Sequence, residues 1–281
     1  MPESASGIYP RAVRKRFDRV AARYGAAAKL DAEIGARMLE RLDYVRLAPR
    51  RILDAGSGPA QRALGKRYRD AQVIALDVSL AMLRAGRPRF DFVRRNPPRL
   101  LCGDLGRIPL AAGTVDLVWS NMALHWAGDP LAALREFHRV LAVEGLLMLS
   151  TLGPDTLKEL RAAAGAGRVH RFLDMHDLGD MLAAAGFAAP VMDMEIISLN
   201  FRGADALLAE LRATGQTSTL AARPRGLGGA RFLRALRAAL AAQMREGSLA
   251  ATYEVLYGHA WKGAPRRAAD GRAIVQFERR R

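Results

Sequence analysis

The stretch Arg51 to Ala60, RILDAGSGPA, constrains the fold of this chain more than any other. Ile52 and Leu53 form a short apolar run that ends in Asp54, two glycines and a proline, the pattern of a strand that stops at a tight turn and hands over to a helix. Gly56 and Gly58 let the backbone approach a ligand closely, and the helix behind them offers N–H groups to a polar ligand. A second apolar run, Val73 to Leu76, ends in Asp77. A carboxylate at that spacing suits a ribose with free hydroxyls, because it can accept from both. A surface turn with a solvated aspartate would explain either feature alone; together they point to a nucleotide.

Details narrow the nucleotide. The dinucleotide fingerprint needs a third glycine for close helix–sheet packing, but Gly58 is followed by Pro59, Ala60 and Gln61. Proline has no N–H to give a pyrophosphate, although it is comfortable at the first position of a helix. Asp54, ahead of the glycines, suits a ligand carrying an ammonium group. S-adenosylmethionine, with an amino acid end and no phosphate, fits these features better than NAD.

Composition bears on the partner. Lys plus Arg is 44 against 28 for Asp plus Glu, a formal charge of +16 supplied mostly by arginine. Such a surface favours an acidic partner, whether nucleic acid, anionic lipid or an acidic protein. The 281 residues and their 50% hydrophobic content suffice for one large domain with an insertion or for two small ones. The single cysteine, Cys102, excludes an internal disulfide and a cysteine-rich metal site. With no long apolar run, a cytoplasmic protein without membrane association is expected, and a monomer is expected alongside.

Along the chain, Val13 to Leu42 carries apolar residues at helical steps and reads as two helices or one bent at Gly25. This cap either covers the sheet edge or closes over the ligand, in which case Tyr24 is the residue to watch. Strands are expected at Val73–Asp77, Leu100–Cys102, Val115–Trp119, from Gly145 onward, Val191–Phe201 and Ala251–Trp261. Asp104 and Leu105 stand where the third strand ends, so Asp104 either contacts adenine or caps a turn. Asn121 and His125 follow the fourth strand, where open α/β sheets bind ligands. Asp129-Pro130 opens a helix, and DTLKELR is read as another, with Asp155 at its positive end. His170, His176 and the nearby aspartates lack a metal-binding motif and read as a linker and a helix start. Two helices, Asp205–Thr214 and Phe232–Arg245, joined by RPRGLGG, separate the last two strands. The expected organisation is a flexible N-terminus (1–10), a helical cap (11–46), a ligand-binding core (47–200), a helical insertion (201–248), and a last strand with a basic tail (249–281).

DAGSGPA, the Asp77 after VIAL, the GDL at Gly103 to Leu105, SNMALHW and STLGPDTLKELR resemble the class I S-adenosylmethionine-dependent methyltransferases. VRKRFDRVAARYGAAAKLDAEIG and RFLDMHDLGDMLAAAGFAAPVMDME narrow the resemblance to the malonyl-acyl-carrier-protein O-methyltransferases of biotin synthesis, over nearly the whole chain. The resemblance implies an α/β Rossmann-like fold: a mostly parallel seven-stranded sheet with an antiparallel last strand, N-terminal helices and a helical insertion before that strand. It also implies that Asp54, Gly56 and Gly58 surround the methionine half of the cofactor, that Asp77 holds the ribose, and that Asp104 and Leu105 contact the adenine. Tyr24, His125 and Phe172 fall in segments that surround the acceptor in this family. Ala60 departs from the glycine of many relatives and costs the turn some backbone freedom.

The implied chemistry is methylation of the free carboxylate of a malonyl thioester, with Tyr24 and His125 holding the carboxylate while Phe172 and Trp126 exclude water. The acidic acyl carrier protein would dock on the basic surface by electrostatic steering. A coenzyme A thioester is the alternative acceptor. Two other functions stay open at this point: a protein arginine hydroxylase of the kind that helps assemble mitochondrial complex I, and a nucleic-acid-binding or RNA-modifying methyltransferase. SNMA, where base-amine methylases carry an Asn-Pro-Pro-Tyr type motif, argues against the last.

Overall fold

The computed structural model describes residues 8–60, 63–86, 96–165, 167–217 and 229–264. Two helices, α1 (Pro10–Ala27) and α2 (Lys29–Arg41), precede β1 (Arg51–Ala55), α3 (Ala63–Arg67), β2 (Gln72–Asp77), α4 (Leu80–Ala85) and β3 (Arg99–Cys102). Then come β4 (Val115–Ser120), α5 (Pro130–Val140), β5 (Leu141–Leu152), α6 (Lys158–Ala164) and α7 (Met175–Ala184). The chain closes with β6 (Ala188–Phe201), α8 (Ala204–Ala213), α9 (Gly229–Ala241) and β7 (Leu249–Trp261).

The strands form one seven-stranded sheet in the order β3-β2-β1-β4-β5-β7-β6. Strands β1 to β5 run parallel, and β7 lies antiparallel between β5 and β6. The central strands β1, β2 and β4 are buried almost without interruption, as strands covered by helices on both faces must be. The strand order reverses between β1, which neighbours β2, and β4, so a crevice opens beyond their carboxyl ends. This is the architecture expected of a Rossmann-like methyltransferase.

Local chemistry explains the helices around that crevice. Asp129 caps α5 by accepting from the Ala132 N–H at 3.0 Å, with Pro130 in the first turn. Ala133, Leu134, Phe137 and Val140 then bury one face of it. Ser79 caps α4, and its hydroxyl donates to Asp18 of α1 at 2.6 Å, which ties the N-terminal helix to the core. Ion pairs Arg37–Glu195 and Arg41–Asp193 join α2 to β6, and the Arg41 guanidinium lies 3.9 Å from the centre of the Tyr257 ring.

Several boundaries differ from the sequence reading. The break between α1 and α2 falls at Ala28, whose ψ of 55° leaves the helical region, and Gly25 stays inside α1. Strand β5 begins at Leu141 rather than Gly145, directly after α5, and its pairing with β4 is irregular between Val115 and Leu117. Gly145 lies within the strand, where a Cβ would come 2.8 Å from the Ala142 carbonyl oxygen. Helix α6 starts only at Lys158, because Leu157 adopts a φ of 53°. Asp155 therefore precedes the helix and pairs with Lys158 at 3.1 Å. The first ten residues are not all loose, since Ile8 is buried and Pro10 opens α1; residues 1–7, the Pro88 break, the RPRGLGG link up to its last glycine and the tail beyond residue 264 lie outside the described residues. Among the described residues no helix is long and apolar enough to cross a membrane.

Candidate active site

A cavity of about 280 Å³ lies across the carboxyl ends of the central strands, with α1 and α2 as its far wall. The glycine turn forms its floor. Gly56 and Gly58 have φ of +78° and +51°, and a Cβ on Gly56 would stand 2.2 Å from that of Ala123. Glycine at this position is thus required by both conformation and space. The N–H groups of Gly56 and Ser57 donate to the Leu76 carbonyl, and Asp77 accepts from Gly58 at 3.0 Å and from Ser79 at 2.8 Å. The end of β2 thereby shapes the turn that follows β1.

Gly56, Gly58, Asp77, Asp104, Leu105 and Asn121 all line this cavity, as does Tyr24 from α1. Asp104 also accepts from the Gly106 N–H at 2.8 Å, so it caps a turn and faces the cavity at once. Asp54 is different: it is buried at the end of β1 and does not form part of the wall. Helix α2 contributes an acid that the sequence did not single out, Asp31. Its carboxylate accepts from the Tyr24 hydroxyl, and its backbone carbonyl accepts from the Asn121 side-chain amide at 2.8 Å. The Asn121 amide oxygen in turn accepts from the Ser150 hydroxyl at 2.8 Å. Asn121 therefore fastens α2 to the sheet.

The electrostatics of the cavity select its ligand. Asp31, Asp77 and Asp104 line it, while among the described residues no lysine, arginine or histidine does. Burial pushes the Asp31 carboxyl up to about 6, partly offset by the Tyr24 hydrogen bond. Asp77 also rises to about 6 through burial, in spite of its two backbone donors. Asp54 rises to about 8 because it is buried and has Asp77 as a second anion nearby. Acids that resist ionisation in the free protein are stabilised by a ligand that brings positive charge. S-adenosylmethionine, with a sulfonium and an ammonium, fits this donor set; a pyrophosphate does not.

His125 and Phe172 line a neighbouring cavity of about 330 Å³, and Trp126 belongs to the walls of both. Tyr24 is not part of this second wall, so Tyr24 and His125 do not share one cavity as expected for two residues gripping the same carboxylate. An aromatic chain runs between the two cavities. Phe17 meets Trp126 edge-on at 5.3 Å, Trp126 lies 5.2 Å from His125, and His125 lies 5.8 Å from Phe172. The His125 ring is 3.4 Å from the Thr151 hydroxyl; burial and the neighbouring His170 push it down to about 3, so it is neutral at pH 7. Arg16, Arg168 and Arg212 line the same cavity, the Arg168 guanidinium lying 3.8 Å from the centre of the Phe232 ring. Helices α8 and α9 of the insertion supply Leu208, Leu211, Phe232 and Leu236 to its apolar wall. The three arginines carried no sequence signal, since they come from separate segments that only the fold gathers.

Comparisons with known proteins agree with this fold. Residues 53–149 match the family described as a methyltransferase domain. The solved structure of the YcgJ protein from Bacillus subtilis superposes with a TM-score of 0.59, covering 82% of this chain and 98% of that one, and at 16% identity it speaks to the fold. The malonyl-[acyl-carrier protein] O-methyltransferase of Methylovorus sp. (strain MP688) is 49% identical over 279 residues, covering 95% of this chain and 94% of the relative. The protein of the same name from Laribacter hongkongensis is 50% identical over 282 residues, covering 94% of both. These relatives lend no support to the arginine-hydroxylase or RNA-modifying alternatives. With about half of its residues shared along almost the full length of such relatives, the chain belongs to the malonyl-[acyl-carrier protein] O-methyltransferase family, whose cofactor is S-adenosylmethionine.

Proposed function

We propose that this protein methylates the free carboxylate of a malonyl thioester carried by acyl carrier protein, a step in making the biotin precursor. The observation that carries this reading is Trp126, shared by two cavities of opposite charge: one lined by aspartates, the other by arginines. The first suits a cationic cofactor and the second an anionic acceptor.

The glycine turn of Gly56 and Gly58, Asp77, Asp104 and Leu105 would hold the cofactor, with Asn121 keeping α2 closed over it. Asp54, buried at the end of β1 and not among the lining residues, would act through its charge. When bound, S-adenosylmethionine supplies a methyl group on a positively charged sulfur, whose transfer to a carboxylate oxygen leaves a neutral ester and a neutral sulfide.

The chain's own part is to select, orient and dry the acceptor. A carboxylate is ionised at pH 7 and needs no strong base; His125, held neutral, is suited to donating a hydrogen bond rather than to taking a proton. Arg168 and Arg212 would draw the malonyl carboxylate into the second cavity, and Trp126 and Phe172 would exclude water from it. Alignment and desolvation then carry the rate. Tyr24, its hydroxyl donating to Asp31, would complete the wall around the amino acid end of the cofactor. The net charge of +16 would favour encounter with an acidic carrier protein.

The reading is tested by incubating malonyl-acyl carrier protein with this protein and S-adenosylmethionine and weighing the carrier. A mass gain of one methylene, absent with acetyl-acyl carrier protein, is expected. An unmodified malonyl carrier would refute it.

A further inference from the structure

We propose that Asp31 is the counter-ion of the cofactor's ammonium group and thereby sets the methionine half of S-adenosylmethionine in its cavity. This rests on the cofactor reading above. The order of the sheet gives the cavity a direction: Asp104 follows β3, Asp77 ends β2, the glycine turn follows β1 and Asn121 follows β4. A nucleoside with its adenine at Asp104 and its ribose at Asp77 runs its amino acid end toward β1 and β4. Asp31 stands at that end, because its backbone carbonyl accepts from Asn121 at 2.8 Å.

Its carboxylate is held as well as placed. The Tyr24 hydroxyl donates to Oδ2 and fixes the plane of the group, and a carboxylate with one such donor keeps most of its acceptor capacity. Asn121 and Ser150 anchor the helix behind it. The cavity wall brings no described lysine, arginine or histidine to this acid, so a cationic group of the ligand would meet no competing side-chain cation there.

Two cationic groups on the cofactor compete for that role, and their chemistry separates them. An ammonium donates three hydrogen bonds, which a carboxylate accepts well. A sulfonium donates none. An aspartate against the methyl sulfonium would also be a carboxylate nucleophile of the same kind as the acceptor, and would compete with it. Asp31 therefore belongs to the ammonium, which the demethylated product retains.

The test compares three ligands by calorimetric titration of wild type and Asp31→Asn: S-adenosylmethionine, S-adenosylhomocysteine and 5′-methylthioadenosine, which lacks the amino acid. Loss of a hydrogen-bonded charge pair should weaken the first two by the same factor, about tenfold or more, and leave the third unchanged. Unchanged methylthioadenosine binding also shows that the cavity is intact. Asp31→Ala offers the same comparison should the asparagine variant fail to fold. Weakening of S-adenosylmethionine alone would assign Asp31 to the sulfonium, equal weakening of all three would make it structural, and unchanged affinities would remove it; each overturns the proposal. A wild-type protein that binds none of the three would instead refute the cofactor reading.

Discussion

Asp77 accepts the N–H of Gly58 at 3.0 Å, a bond that spans nineteen residues and ties the end of β2 to the glycine turn after β1. The other carboxylate oxygen accepts from Ser79 at 2.8 Å, where α4 begins. The acid proposed to hold the ribose thus also holds the floor beneath it. Asp77→Ala is expected to weaken S-adenosylmethionine binding and, in the cofactor-free protein, to lower the unfolding free energy by about 1–3 kcal/mol. Titration calorimetry and urea denaturation measure the two effects. Unaltered stability would mean that the turn keeps its shape without Asp77.

The parts of the site that were legible in the sequence are those built from local patterns. Gly56, Gly58, Asp77 and Asp104 all stand at strand ends, where an apolar run stops and turn residues follow, and all four line the first cavity. Asp31 gave no such sign, because an acid in the first turn of a helix reads as favourable charge at the positive end of the dipole. Its place in the wall depends on the Asn121 contact, ninety residues away in sequence. Arg16, Arg168 and Arg212 were hidden for the same reason among many arginines. In the fold, the start of β5 was obscured because Leu141 continues the apolar spacing of α5; the chain becomes extended there to pair Leu141 with Val115.

Proton uptake and release should follow cofactor binding. Asp54 is raised to about 8, so the free protein holds its proton at neutral pH, and a cationic ligand favours the ionised form. Binding is expected to release protons and to tighten as pH rises from about 6.5 to 8. In the cofactor-free protein the sign is opposite for stability. An acid with a raised folded pKa contributes stability that is present below its unfolded value and lost as pH rises through the folded one. His125 and His170, pushed down to about 3 and about 4, cost stability only as pH falls below their ordinary 6.5, so they do not obscure this window. Calorimetry in buffers of different ionisation enthalpy counts the protons. Zero release would place the Asp54 proton elsewhere.

Salt should discriminate between carrier protein and small thioester. The charge of +16 acts over an extended surface, and ions at physiological strength screen it beyond about 8 Å. Stopped-flow association with malonyl-acyl carrier protein is expected to slow steeply with added salt, and association with malonyl-pantetheine to change little. Equal sensitivity for both would assign the surface arginines to another partner.

Tyr24 and His125 provide the sharpest test of the two-cavity arrangement. Were both to hold one malonyl carboxylate, removing the second after the first would cost little, and the double variant would fall short of the sum. In the structure Tyr24 donates to Asp31 in the first cavity, His125 faces the second, and Trp126 lies in the wall of each. Residues without a shared partner act independently, so the losses in activation free energy for Tyr24→Phe and His125→Ala should add to within about 0.5 kcal/mol. The two variants should also fail differently. His125→Ala is expected to raise the KM for the malonyl carrier and leave cofactor affinity unchanged, whereas Tyr24→Phe, which releases Asp31, should weaken the cofactor. Single-turnover rates for both variants and the double, read beside cofactor titrations, separate the arrangements. A double variant no slower than the slower single one would mean that the two side chains meet on the same group in the working enzyme.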